Sequence, residues 1–320
     1  MLAELGIPKE VDGTCGIQFL EKNKITFFNN IKYMKYVLPN KGCFILTNKA
    51  LIEKLKKIPG NTYIVVEDPA LSFVLIHNAF NADRRSFKRS DAQNTIASSC
   101  ELHPSVVLGG NVRIGKGSML EANVRIGNDV SIGENAVIYP NVVIYDNVEI
   151  GKNCIIDSGT VIGADGFNPI VDAKGVPHLV IHTSGVKIGN NVEIGANSTI
   201  DRGTFKETII EDNVKIDNHV HVGHNDVIKE NARLAASCCI GGSTIIGRNV
   251  WVGIGATVTD NVEVGDDVRI QINAVVVSFV PAGKTVSGIY AMDNDAWLMH
   301  MKDLYKNYGQ SQRVMRKSEK

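Results

Sequence analysis

VRIGKGSMLEANVRIGNDVSIGENAVIYPNVVIYDNVEIGKNCIIDSGTVIG, residues 112–163, carries an aliphatic residue at every sixth position. Ile114, Leu120, Ile126, Ile132, Ile138, Ile144, Ile150, Ile156 and Ile162 share one register, and the same step reaches back through Leu108 and Leu102 to Ile96. Glycine often follows the marker directly, as at Gly115, Gly127, Gly133, Gly151 and Gly163. An amphipathic helix needs apolar spacing near 3.6 and a half-buried strand spacing near 2, so a period of six is neither. It is the period of hexapeptide β-helix repeats, in which each hexad makes a short strand and a turn. Three hexads close one triangular coil, with the marker inward and glycine or asparagine at corners that need unusual backbone angles.

The register breaks at 164–187, resumes at Ile188, Ile194 and Ile200, slips through 201–209, and then runs from Ile210 to Val276. Those hexads make about nine coils. The expected architecture is therefore mainly β: a parallel β-helix over 96–280, preceded by a small α/β domain (1–95) and followed by a helical extension (281–320). Within 1–95, FILTNKALIEKLKKI reads as a strand and a short helix, TYIVVEDP as a buried strand, LSFVLIHNAF as a helix and NADRRSFKRSDAQNT as a linker. Pro281 and Gly283 are expected to close the repeat, and Trp297, Met301 and Leu304 recur at helical spacing beyond it.

Composition narrows the function classes. In 320 residues, 34 basic side chains balance 34 acidic ones, and 44% of the chain is hydrophobic, which describes a folded protein of more than one domain. Zero net charge offers no bulk attraction to nucleic acid or anionic lipid. No run approaches the ~18 apolar residues of a transmembrane segment, and MLAELGIPKEVDG lacks the features of a signal peptide. A cytoplasmic location is expected, with the six scattered cysteines reduced.

A filled solenoid leaves its corners, its interruptions and the grooves between subunits for chemistry. Three of the eight histidines lie in DNHVHVGHN, residues 217–225. His224 stands two places after the marker Val222, at a corner, and one coil later the same corner holds Gly242 in CIGGST. A corner histidine can act as general base and a glycine amide can donate to a developing oxyanion, a pairing that suits acyl transfer. His219 and His221 are alternative bases. A zinc site using His219, His224 and a third histidine is a competing arrangement, although those two sit near successive corners; no metal is expected. The interruption ADGFNPIVDAKGVPHLVIHTSG is too long for a corner and reads as a substrate lid bearing Asp165, Phe167, His178 and His182.

SGTVIGADGF, VKIGNNVEIG with TIDRG, IDNHVHVGHN and CIGGST follow one another as in the UDP-3-O-(3-hydroxyacyl)glucosamine N-acyltransferase family of lipid A biosynthesis, which the chain resembles over nearly its whole length. ITFFNNIKYMKYV also looks like that family's uridine-binding segment, with Phe27 and Tyr33 as the aromatic pair and Asn30 as the hydrogen-bonding residue. The resemblance implies a left-handed coil, a homotrimer with sites between subunits, His224 as general base and Gly242 as oxyanion donor. It implies a UDP-sugar lipid as acceptor and the phosphopantetheine thioester of acyl carrier protein as donor, with no separate cofactor. Asn261 stands where family members carry a second histidine, and His219 and His221 stand where they tend to have glutamine. His221 and Asn261 are therefore expected substrate contacts. These departures keep two alternatives open: an acetyl-CoA-dependent N-acetyltransferase on another UDP-amino sugar, or a non-catalytic nucleotide-sugar-binding paralogue. The basic tail, with Lys302, Lys306, Arg313, Arg316 and Lys317, is expected to dock the carrier protein.

Overall fold

A computed structural model describes the backbone of residues 10–85, 91–288, 291 and 293–318, and the side chains of 10–83, 91–288, 291 and 293–306. Part of the expected linker, the first nine residues, and the side chains of Arg313, Arg316 and Lys317 lie outside the described residues.

The hexads fold as short parallel strands, such as Arg113–Ile114, Met119–Leu120 and Arg125–Ile126. A strand of this length has no stability alone. Each is held by the equivalent strand one coil away, as in the pairs Arg125↔Val143 and Ile126↔Ile144. Repetition builds three sheets of 9, 9 and 10 strands, the three faces of a parallel β-helix. Their inward markers form one continuous apolar column in which Ile138, Ile156, Ile200 and Ile240 are wholly buried.

The corners explain the asparagines. Asn135, Asn153, Asn191 and Asn213 have φ between 55° and 61°, a left-handed conformation that asparagine adopts more readily than most residues. Their side chains also form a ladder, Asn135 Nδ2 donating to Asn153 Oδ1 at 3.2 Å and Asn153 Nδ2 to Asn191 Oδ1 at 3.1 Å. At several corners, a side chain one coil on closes a backbone N–H. Gly110 donates to Asn128 Oδ1 at 2.9 Å, Asn190 to Asp212 Oδ1 at 2.7 Å and Arg248 to Asp266 Oδ1 at 2.8 Å.

Two irregularities position the site. The hairpin Pro169–Val171 with Pro177–Leu179 projects from the break in the repeat, and the slip at 201–209 inserts a turn between strands that still pair, Thr199 with His221. The repeat also runs further than its sequence suggests: Thr285–Val286 pairs with Arg269–Ile270, so Pro281 and Gly283 lie inside the last coil rather than closing it.

The N-terminal domain is a parallel sheet of β1 (Gly13–Thr14), β2 (Lys24–Phe28), β3 (Phe44–Thr47) and β4 (Thr62–Val65) in sequential order. Two short helices, α1 (Met34–Val37) and α2 (Ile52–Leu55), and the longer α3 (Pro69–Phe80) complete it. Asp68 starts α3 by accepting from the Ala70 and Leu71 amides at 3.0 Å, with Pro69 in the first turn. Beyond the β-helix lies α4 (Asn294–Ser318).

Asp226 is out of keeping with its place. It occupies an inward position that other coils give to valine, alanine, cysteine, serine or threonine, it is 0% exposed, and only Oδ1 has a partner, the Thr244 amide at 2.8 Å. Burial pushes its carboxyl up to about 9, so the folded protein holds a proton that an unfolded aspartate releases near ~3.9. Stability is therefore lost as pH rises from about 4 towards 9. Asp226→Asn, neutral at every pH and similar in shape, should flatten this slope and raise the thermal midpoint above wild type at pH 8. Parallel midpoint-versus-pH curves for the two proteins would show that Asp226 is not the group responsible.

Candidate active site

The corner at His224 lacks the closing side chain found at the corners above, because the equivalent residue one coil on is Gly242. A Cβ on Gly242 would lie 2.6 Å from His224 Nε2, and one on Gly166 would lie 2.7 Å from His224 Cδ2. Glycine at both places is what leaves room for the imidazole. The Gly242 N–H has no acceptor among the described residues, whereas its carbonyl accepts from the Asn261 amide at 3.0 Å. An unpaired amide thus lies beside a half-buried histidine ring.

Asn225 sets the proton on that ring. Its Oδ1 accepts from the Thr204 amide at 2.8 Å, which turns its NH2 toward His224 Nδ1 at 2.7 Å. Nδ1 is then an acceptor, and the neutral ring carries its resting proton on Nε2. Burial lowers the His224 pKa, Asp260 opposes that shift and His221 reinforces it. The ring is accordingly neutral at pH 7. Asp260 stands one coil beyond Gly242 in the same column; its Oδ2 accepts from Asn261 Nδ2 at 2.8 Å.

His182, from the end of the insertion, forms another wall. Its ring meets that of His224 at 5.0 Å between centroids and 66° between planes. The ring is 1% exposed, and Nδ1 donates to the Val180 carbonyl at 3.0 Å, leaving Nε2 as a buried lone pair without a partner. Leaving such an acceptor unpaired costs about 1–3 kcal/mol. Burial first, and His224 second, push the His182 pKa down to about 4.

A second group lies alongside. His221 Nδ1 is 2.8 Å from Thr199 Oγ1, and its Nε2 is 3.7 Å from Asp201 Oδ2, too far for a hydrogen bond. Burial lowers the His221 pKa. Burial, then Asp165, pushes Asp201 up to about 7. Arg202 braces the site, donating through Nε to the Gly163 carbonyl and through Nη2 to the Asp146 carbonyl, both at 2.7 Å. Asp165 lies 3.9 Å from Arg202 Nε, and Phe167 is 80% exposed.

The expected uridine residues sit on the N-terminal domain. Phe27 packs on Phe73 at 5.1 Å, and Phe73 on Phe205 at 5.6 Å, so its cluster reaches the turn that carries Thr204. Tyr33 belongs to the opposite cluster with Phe28 and Val37, and Asn30 caps the intervening turn by accepting from the Lys32 amide at 3.0 Å. Phe27 and Tyr33 are therefore not in ring contact in this structure. His224, Gly242 and Asn261, by contrast, share one corner, with His221 beside it. Among the described residues, no three His, Cys, Asp or Glu side chains converge as metal ligands. Sequence reasoning overlooked Asp260, although one further coil step from Gly242 finds it. The ring contact of His182 had no such signal, because the insertion has no register.

Comparison with known proteins agrees with this architecture. The family model "Hexapeptide repeat of succinyl-transferase" matches residues 98–146, 185–223 and 243–278, and "Bacterial transferase hexapeptide (six repeats)" matches 129–164. UDP-3-O-acylglucosamine N-acyltransferase of Helicobacter hepaticus is 37% identical over 234 residues, covering 73% of this chain and 70% of the relative. The protein of that name from Cupriavidus taiwanensis is 36% identical over 233 residues; the match takes in 68% of this chain and 64% of the relative's length. The solved UDP-N-acetylglucosamine acyltransferase of Bacteroides fragilis overlaps 58% of this chain and 69% of its own at 28% identity, with a TM-score of 0.45, too loose to bear on function. No helix among the described residues is long and apolar enough to cross a membrane. By its repeats and by its identity to these curated relatives, the chain belongs to the UDP-3-O-acylglucosamine N-acyltransferase family.

Proposed function

We propose that the chain transfers a 3-hydroxyacyl group from the phosphopantetheine of acyl carrier protein to the 2-amino group of a UDP-3-O-acylglucosamine, in the cytoplasm and without a further cofactor. The observation that carries this reading is the neutral His224 ring lying over the unpaired Gly242 amide. The amine nitrogen attacks the thioester carbonyl as His224 takes its proton, and the oxyanion forms against the Gly242 N–H. Collapse breaks the C–S bond, and the proton passes from His224 to the departing thiolate. Base action needs the lone pair on Nε2, the reverse of the resting tautomer. Exchange with water, which takes the Nε2 proton and returns one to Nδ1, supplies it, with the Asn225 carboxamide turned so that its oxygen leaves the Thr204 amide and accepts from His224 Nδ1–H. Asp260 favours the imidazolium that follows.

Phe27, Asn30 and Tyr33 are assigned to the uracil, which requires the two rings to turn toward each other from their separate clusters. Asp165, Phe167, His221 and Asn261 are assigned to the sugar and acyl portions. Ile254, Ile272, Val275, Val277 and Phe279, exposed on the last coils, support packing of copies into a closed trimer. Lys302 and Lys306 on α4 are assigned to carrier-protein docking.

His224→Ala should lower kcat by at least ~10²-fold with little change in KM for the UDP-sugar, because the proton transfer acts in the transition state. Assayed with a 3-hydroxyacyl carrier protein and with acetyl-CoA, wild type should turn over only the former. Turnover restricted to acetyl-CoA would assign the alternative acetyltransferase, and a fully active His224→Ala would remove the base from this corner. Gly242→Ala keeps the amide N–H but puts a methyl group against His224 Nε2, and by displacing the base should lower kcat by about 10²-fold or more. A folded Gly242→Ala enzyme with normal kcat would contradict the requirement that the His224 ring sit against residue 242.

A further inference from the structure

His182 is held more firmly than a packing residue at the end of a loop requires. On one side, α3 clamps the strand before it: His77 Nε2 donates to the Ile181 carbonyl at 2.7 Å, Asn78 Oδ1 accepts from the Ile181 amide at 3.0 Å, and Asn78 Nδ2 donates to the Leu179 carbonyl at 2.8 Å. On the other side, the Thr183 and Ser184 amides donate to the Thr204 and Gly203 carbonyls at 3.0 and 3.1 Å. Two elements of different domains thus fix the backbone on both flanks of one imidazole. The ring itself is fixed by its Nδ1–H bond to the Val180 carbonyl, its unshared Nε2 pair is kept from water, and the ring stands T-shaped to that of His224.

A phenyl ring would pack as well and would leave no buried acceptor without a partner, so the nitrogen needs a reason. The groups facing His224 are the Asn225 amide and Asp260 from the corner, His221 from the preceding strand, and Gly166 and His182 from the insertion. Asn225 presents a donor in the resting state, and a donor opposes a cation. Arg202, His77 and His224 all disfavour a positive charge on His182. It therefore remains an uncharged electron-pair donor when its neighbour is protonated.

We infer that His182 is a positioning residue for His224, a permanently neutral imidazole whose buried Nε2 lone pair stabilises the imidazolium formed when His224 takes the proton of the attacking amine. This rests on the proposed role of His224 as base. The contact itself is measurable without that role. The clamp on Ile181 also ties the ring's place to α3, whose Phe73 touches Phe27, so the nucleotide-facing domain and the base share one rigid connection.

The test compares His182→Phe, which keeps a ring and removes the acceptor, with His182→Gln, which restores a side-chain oxygen. His224 is titrated by NMR in the full-length, histidine-labelled protein, and kcat and KM are followed against pH. His182→Phe should lower the His224 pKa by about half a unit or more. The acidic limb of kcat/KM should move down with it, and kcat should fall about fivefold or more at unchanged UDP-sugar KM. His182→Gln should recover most of the titration shift, and His182→Leu offers the same comparison should the phenylalanine variant not fold. A His224 pKa equal to wild type in the phenylalanine or leucine variant overturns the inference. If His224→Ala is active, the base assignment fails by itself, whereas the His224 titration still decides whether His182 acts on that ring.

Discussion

Every coil of this protein is held by the coil below it, through backbone N–H groups that find carbonyl oxygens one turn away and through corner side chains that finish what the strands leave open. That requirement fixes the register, because a slip of one residue would send the inward markers out and the corner asparagines in. It also makes columns. Residues one coil apart are neighbours whatever their chemistry, so His224, Gly242 and Asp260 were placed together by the repeat before any chemistry was asked of them. The corner at His224 departs from the corner rule at one position: a glycine replaces a closing side chain, which admits a ring.

Much of this was legible from the hexad alone. The markers from Ile96 to Val276 predict the coils, and one coil added to His224 leads to Gly242. The slip at 201–209 was visible as a defect, and the structure shows its use: the turn carries Thr204, which orients Asn225, and Phe205, which reaches the N-terminal domain. Where the period ended, legibility ended with it. His182 was visible as a histidine in a lid, but its approach to His224 depends on bonds from α3 and from the turn at 203–204, none of which has a local pattern. The last strand was missed because proline and glycine signal a turn equally well inside a coil and after one.

The buried ionisable groups divide by what surrounds them. Asp226 sits in the coil interior, where burial outweighs the backbone hydrogen bonds and the distant Lys206 that favour its charged form, so its carboxyl is held protonated. Asp201 is raised less, with the Asp165 carboxylate adding to burial. His182 and His224 are both pushed toward neutrality, but His182 far more, which separates two imidazoles of equal intrinsic basicity into a fixed one and a titrating one. Such a division of neighbouring groups is what acid–base chemistry near pH 7 requires.

The most direct test of the account is the structure of the protein bound to the N-acylated UDP-sugar product. The new amide oxygen should lie within hydrogen-bonding distance of the Gly242 N–H, with the amide nitrogen next to His224 and the uracil between Phe27 and Tyr33. A product bound with its amide at another corner of the coil, or with His224 and Gly242 untouched, would contradict the claim that this glycine-opened corner is where the bond is made.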